Sequence, residues 1–109
     1  MEKVRASIVW PGPEIDVLRL FVEPGPPLWE ADPIDDEFAV FLTLDEDEQE
    51  TGEIAGFEIL GFLGFDRWEA LPELPVLWQV ADWEPLPIVD LLKREQTLLK
   101  KRHLVLPRR

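Results

Sequence analysis

Residues 4–10 alternate Val4, Ala6, Ile8 and Trp10 against Arg5, Ser7 and Val9, the two-residue period of a β-strand. Pro11-Gly12-Pro13-Glu14 breaks the run, because proline has no N–H to give a sheet ladder. Apolar, β-favouring residues resume over 15–23, with Asp16 and Arg19 as polar punctuation, so the two runs are expected to pair as a hairpin. Residues 23–36 hold four prolines and read as an extended loop. Leu28 and Trp29 are its large apolar side chains, suited either to fold back as a lid or to stand out as an anchor for a partner.

The clearest strand is 37–44. Phe38, Val40, Leu42 and Leu44 fall on one face and Ala39, Phe41 and Thr43 on the other, so both sides ask for cover. A matching strand is read over 53–65, where Gly56, Gly61 and Gly64 suggest a bulge or a close backbone approach. Between Trp68-Glu69-Ala70-Leu71-Pro72 and Trp83-Glu84-Pro85-Leu86-Pro87 there is a loose echo, too short to define a repeat architecture. Short helical turns are predicted at 66–71, N-capped by Asp66, and at 75–81. From about 87 to 103 the period becomes helical. Ile88, Leu91, Leu92, Leu98 and Leu99 share a side, Asp90 lies near the start and cations gather at the end, as the helix dipole favours. A ragged tail, Leu-Val-Leu-Pro-Arg-Arg, follows. The pattern predicts one α+β domain over 1–109: a three- or four-stranded antiparallel sheet, Pro-rich connections and a basic C-terminal helix and tail from about 87.

Charge sharpens this picture. The first 90 residues carry four basic and twenty-two acidic side chains, a net of −18, while residues 91–109 carry seven basic ones against Glu95, a net of +6. An anionic body with a cationic end is expected to touch basic protein surfaces and to repel nucleic-acid phosphate. There is no cysteine, so disulfides and thiolate chemistry are excluded, and cytoplasmic residence is the default expectation. No apolar run is long enough to span a membrane as a helix, and the N-terminal residues lack the apolar stretch of a signal peptide. Abundant Glu and eleven prolines, with no Asn and one Met, suggest a thermophilic source.

Residues 44–56, Leu-Asp-Glu-Asp-Glu-Gln-Glu-Thr-Gly-Glu-Ile-Ala-Gly, hold six carboxylates. A calcium loop of the EF-hand kind needs glycine at its sixth position and glutamate at its twelfth. Counted from Asp45 these are Glu50 and Gly56, so the stretch reads as a solvated hairpin turn whose second use is contact with a cationic partner. Catalytic outfits are equally short of parts. His103 and Ser7 are the only histidine and serine, no lysine lies between Lys3 and Lys93, and phosphate-binding glycine loops are absent. Glu58, between Phe57 and Ile59, is the carboxylate to watch for acid–base work, with an ion pair to Arg19 or Arg67 as its plainer role.

Asp35-Asp36-Glu37-Phe38-Ala39-Val40-Phe41-Leu42-Thr43-Leu44, followed by Gly52-Glu53-Ile54-Ala55-Gly56-Phe57-Glu58-Ile59-Leu60, resembles a family of short bacterial domains of unknown function. That family shows an Asp-led apolar strand, a variable turn and a Gly-x-Ile-x-Gly-apolar-Glu-Ile-Leu strand. Phe41 stands where the family commonly has an aromatic hydroxyl. The resemblance covers residues 35–60 and implies a small antiparallel sheet with a packed helix, but neither an activity nor site residues.

The expectation is therefore a non-catalytic interaction module without cofactor or metal, regulating a basic protein or serving as a subunit of a larger complex. Its candidate contacts are Asp45, Glu46, Asp47, Glu48 and Glu50 in the hairpin, Trp29 in the Pro-rich loop, and Lys93, Lys100, Lys101 and Arg102 on the helix. Five tryptophans suit either a shallow core or an aromatic interface. The alternatives are a small enzyme using buried carboxylates and a structural homo-oligomer.

Overall fold

A computed structural model describes residues 2–72 and 74–104, with side chains as far as Arg102. The expected ragged tail beyond the helix, and the His103 side chain, lie outside the described part. The strands are β1 (Glu2–Val9), β2 (Val17–Val22), β3 (Trp29–Pro33), β4 (Phe38–Leu44), β5 (Glu50–Leu60) and β6 (Val76–Val80), and the helix is α1 (Ile88–Leu104). They form one sheet in the order β3-β4-β5-β2-β1-β6. All neighbours are antiparallel except β1 and β6, which run parallel.

The expected sheet of three or four antiparallel strands is thus corrected to six strands in a mixed sheet. Both additions are edges. β3 lies inside the Pro-rich stretch that reads as loop: Pro33 closes a five-residue edge strand pairing only with β4, and such a position makes little demand for a missing N–H. β6 occupies the segment that reads as a helical turn at 75–81. Val76, Trp78 and Val80 turn inward there on a period of two, and the tight turn after them places Ala81 at φ 54°.

Other boundaries shift less. The hairpin of the first two strands forms as expected, in the register Ala6 to Val22 and Ile8 to Leu20. β5 ends at Leu60, short of the expected 65, and a 3-10 turn (Phe62–Gly64) follows. At 66–71 there is one 3-10 turn, Trp68–Ala70. Arg67 occupies its N-cap position without a side-chain bond, so the expected cap by Asp66 does not form. The helix is displaced by one residue from its expected start and end.

Alternation gives the sheet two unlike faces. On the inner face Leu18, Leu20, Phe38, Phe57 and Ile59 are buried beneath Phe62, Phe65 and the helix residues Ile88, Leu91, Leu92 and Leu99. Full burial of side chains this size contributes about 1.5–3 kcal/mol each. The helix is held at its middle by Gln96, a buried amide whose Nε2 donates to the backbone carbonyls of Phe62 (2.7 Å) and Phe65 (2.8 Å). Asp16 secures the same end of the sheet. Its carboxylate accepts from the Trp10 indole (2.8 Å) and the Leu63 backbone N–H (2.9 Å).

No helix among the described residues lies over the outer face. Phe21, Trp29 and Phe41 cluster there, with ring centroids 5.5 Å apart for Phe21–Phe41 and 4.5 Å for Trp29–Phe41. Phe41 is buried, and Trp29 caps it while staying 45% exposed. Gly56, across from both Phe21 and Phe41, makes the cluster possible: a Cβ there would lie within 2.1 Å of the Leu20 carbonyl oxygen and 3.0 Å of the Phe41 ring. This is the close approach that the strand glycines suggest. The accompanying register shift falls beside it, Phe41 facing Gly56 but Leu42 facing Ile54.

Candidate acid-rimmed groove

The inner face is not covered along its whole length. Packing is complete at the end bearing Asp16, Phe62 and Gln96. Toward the end where β1, β5 and β6 begin, the floor residues Val4, Val22, Leu42, Ile54 and Val76 are only half-buried. Flanking the undescribed position 73, Ala70 and Pro72 on one side and Leu74 and Pro75 on the other border this end as a strap, with Leu71 buried.

A hollow lies on each side of the strap. The larger, about 420 Å³, is walled by Val4, Val22, Ile54, Leu74, Val76 and Trp78, with Glu2 and Glu53 at its rim. The smaller, about 270 Å³, lies over Phe38, Val40 and Leu42 with Asp32 at its edge. Gly52 and Ile54 belong to both, so the two form one interrupted groove. Among the described residues neither lining includes a basic one. Trp78 adds an unsatisfied donor: it is 2% exposed, and its indole N–H has no acceptor among the described residues.

The residues singled out from the sequence fall in three places. Asp45 to Gln49 form the exposed β4–β5 connection next to this open end, Glu50 opens β5, and the carboxylate of Asp45 is engaged inside the turn. Its Oδ1 accepts from the backbone N–H groups of Asp47 (2.9 Å) and Gln49 (3.0 Å), while Glu48 takes the left-handed conformation at φ 60°. Glu46, Asp47, Glu48 and Glu50 are exposed. Trp29 lies on the opposite face of the sheet, over Phe41. Lys93, Lys100, Lys101 and Arg102 are exposed on α1. The Lys93 ammonium stands 5.7 Å from the Trp68 ring centroid, and none of the four forms an ion pair among the described residues. None of the hairpin acids, Trp29 or the helix cations lines either hollow; from the β4–β5 hairpin the groove takes Gly52, Glu53 and Ile54.

Glu58, the carboxylate considered for acid–base work, points to the outer face and accepts from Arg19 Nε at 2.8 Å. Arg67 is held by Asp35 at 2.9 Å and lies 3.9 Å from Glu37. Among the described carboxylates Glu95 on α1 stands apart. Burial pushes it above the ordinary carboxylate range, against the pull of Arg102 and Arg94. Among the described residues no cluster of three or more His, Asp or Glu side chains is arranged to hold a metal ion. No helix among them is long and apolar enough to cross a membrane.

Glu2, Asp32, Glu53 and Trp78 are the groove residues that the sequence reading did not single out. One signal for them was present. Glu2, Val4, Ala6 and Ile8 share a period of two, so Glu2 had to lie at the margin of the inward face. No protein-family model, no curated protein and no solved structure matches this chain.

Proposed function

We propose that the protein is a non-catalytic interaction module whose groove receives a cationic, amphipathic segment of a protein partner. The observation that carries this reading is the pairing of an apolar floor with rim charges that are all acidic among the described residues, Glu2, Asp32 and Glu53, at the open end of the inner face. A segment with aliphatic side chains and flanking Arg or Lys matches both features. Burial of apolar surface supplies affinity, and carboxylates across the rim set orientation and steer encounter. Glu46, Asp47, Glu48 and Glu50 extend the negative field from the adjoining hairpin. The carboxylates nearest to chemistry are engaged in structure, Asp16 with Trp10 and Leu63, Glu58 with Arg19, which supports binding over catalysis. A cysteine-free chain that meets its partner by charge is in keeping with a cytoplasmic setting.

The test is capture of binding partners from native-host lysate at 50 and 500 mM salt, using the protein and its Glu2→Lys/Glu53→Lys variant. A partner held at low salt, released at high salt and lost on the double substitution is the expected result. A partner held equally by the variant at both salt concentrations would falsify the reading.

A further inference from the structure

Resting on that reading, we infer that Trp78 selects the form in which the partner binds: an extended segment whose backbone carbonyl accepts the Trp78 indole N–H while its aliphatic side chains fill the groove. Trp78 lines the larger hollow beside Val4, Val22 and Ile54. Its side chain is buried, and Nε1 has no acceptor among the described residues. A buried donor left in this state is uncommon, because it gives up its bond to water and receives none in return. Trp10 shows the usual arrangement, its indole N–H donating to Asp16 at 2.8 Å. The Trp78 ring is also held in place. Its backbone N–H donates to the Leu86 carbonyl at 2.7 Å, and its own carbonyl accepts from the Leu86 N–H at 2.9 Å. On the other side β6 pairs with β1, which sets Trp78 beside Val4. The ring meets that of Phe57 edge to face, with centroids 5.7 Å apart. Backbone and ring are fixed before anything binds, so an arriving acceptor restores the missing hydrogen bond without reordering the site.

Charge and shape narrow what supplies that acceptor. The carboxylates of Glu2 and Glu53 at the rim of the same hollow repel an anionic group, so the acceptor is a neutral oxygen. Lys and Arg side chains only donate, and aliphatic ones do neither. A cationic, aliphatic segment is left with its backbone carbonyls. In the interior of an α-helix these already accept from the N–H four residues on, whereas an extended chain has no internal hydrogen bonds and leaves them open. An extended chain also sends side chains i and i+2 in the same direction, roughly 6.5–7 Å apart. Two hollows that share Gly52 and Ile54 suit successive aliphatic anchors of this kind. Cations flanking the anchors then meet Glu2 and Glu53 at the larger hollow and Asp32 at the smaller.

The experiment selects binders to the intact protein from a displayed library of heptapeptides with aliphatic residues at the third and fifth positions and Arg or Lys at both ends. The tightest binder is then titrated into isotopically labelled protein. The backbone amides of Val4, Ile54 and Val76 are expected to shift, and the Trp78 indole proton to move downfield as it gains an acceptor. Analogues of the peptide in which an ester replaces each central peptide bond in turn have weaker carbonyl acceptors. One of them is expected to bind about two- to tenfold less tightly. Trp78→Phe keeps an aromatic ring without the donor, and in that variant the ester penalty should vanish. Where the variant does not fold, the indole proton of the unaltered protein decides. Groove amides that shift while the Trp78 indole proton stays in place, or a bound peptide with helical proton–proton contacts, overturn the inference and leave the groove its proposed use. A library that yields no peptide shifting the groove amides overturns both.

Discussion

The two ends of the inner face are made from the same strands and differ in what lies over them. At the closed end Leu18, Ile59, Phe62, Leu91 and Leu92 are fully buried, and a buried amide pins the helix to the turn that follows β5. At the open end Val4, Val22, Ile54 and Val76 present the same kind of side chain but stay half-buried, with Leu74 and Pro75 beside them. One end is a finished core and the other a core margin with acid around it. A small domain has little helix with which to cover a six-stranded sheet. The one α-helix among the described residues spans about 25 Å and lies toward one end. The apolar surface left over is where a binding function can be placed at small cost to stability.

Substitutions at the two ends separate these roles. Phe57→Ala, at a fully buried position on the shared floor, is expected to lower unfolding free energy by about 3–5 kcal/mol in urea titration. Ile54→Ala, in the groove, should cost under about 1.5 kcal/mol because the site is already half-open to water. Equal losses would mean that the groove is packed in solution. Gly56→Ala should cost about 3 kcal/mol, since a methyl group cannot stand 2.1 Å from the Leu20 carbonyl oxygen without moving a central strand. A circular-dichroism melt unchanged from wild type would show that β2 and β5 are further apart than described.

At the closed end, Gln96→Leu leaves the Phe62 and Phe65 carbonyls without their side-chain donor, and a loss of about 1–3 kcal/mol is expected. Hydrogen exchange should then quicken around residues 62–65 before it does in the strands. The smallest effect concerns Glu95. Because burial raises its folded-state pKa, ionising it disfavours the fold, and this loss develops as pH rises from the ordinary carboxylate value through the folded one. Glu95→Gln should therefore melt higher than wild type at neutral pH, with the advantage fading in acid, where Glu95 is protonated in both states. An advantage that grows toward acid would reverse the assigned cause.

Legibility from sequence followed the locality of each signal. β1, β2, β4 and the helix were readable because alternation and helical spacing are set within ten residues or so, and the partner strands only had to complete them. β3 was not, since Pro26, Pro27 and Pro33 argue against a strand, and only the edge of β4 recruits Trp29–Pro33 into the sheet. β6 was missed for a related reason. Five residues between prolines fit a turn as well as a strand, and the free edge of β1 decides the matter. Among site residues, the hairpin acids stood out by density. Glu2, Asp32 and Glu53 did not, because nothing local says that β1, β3 and β5 bring them to one rim.

By itself the sequence determined the charge division, the hairpin acids and the faces of the strongly periodic segments, all of which depend on composition or on neighbours along the chain. The tertiary structure alone decided which edges gained a strand, that Trp29 caps the outer face, and that the helix leaves one end of the inner face open. Those outcomes are fixed by contacts between residues far apart in the chain, whose energies no short window of sequence contains.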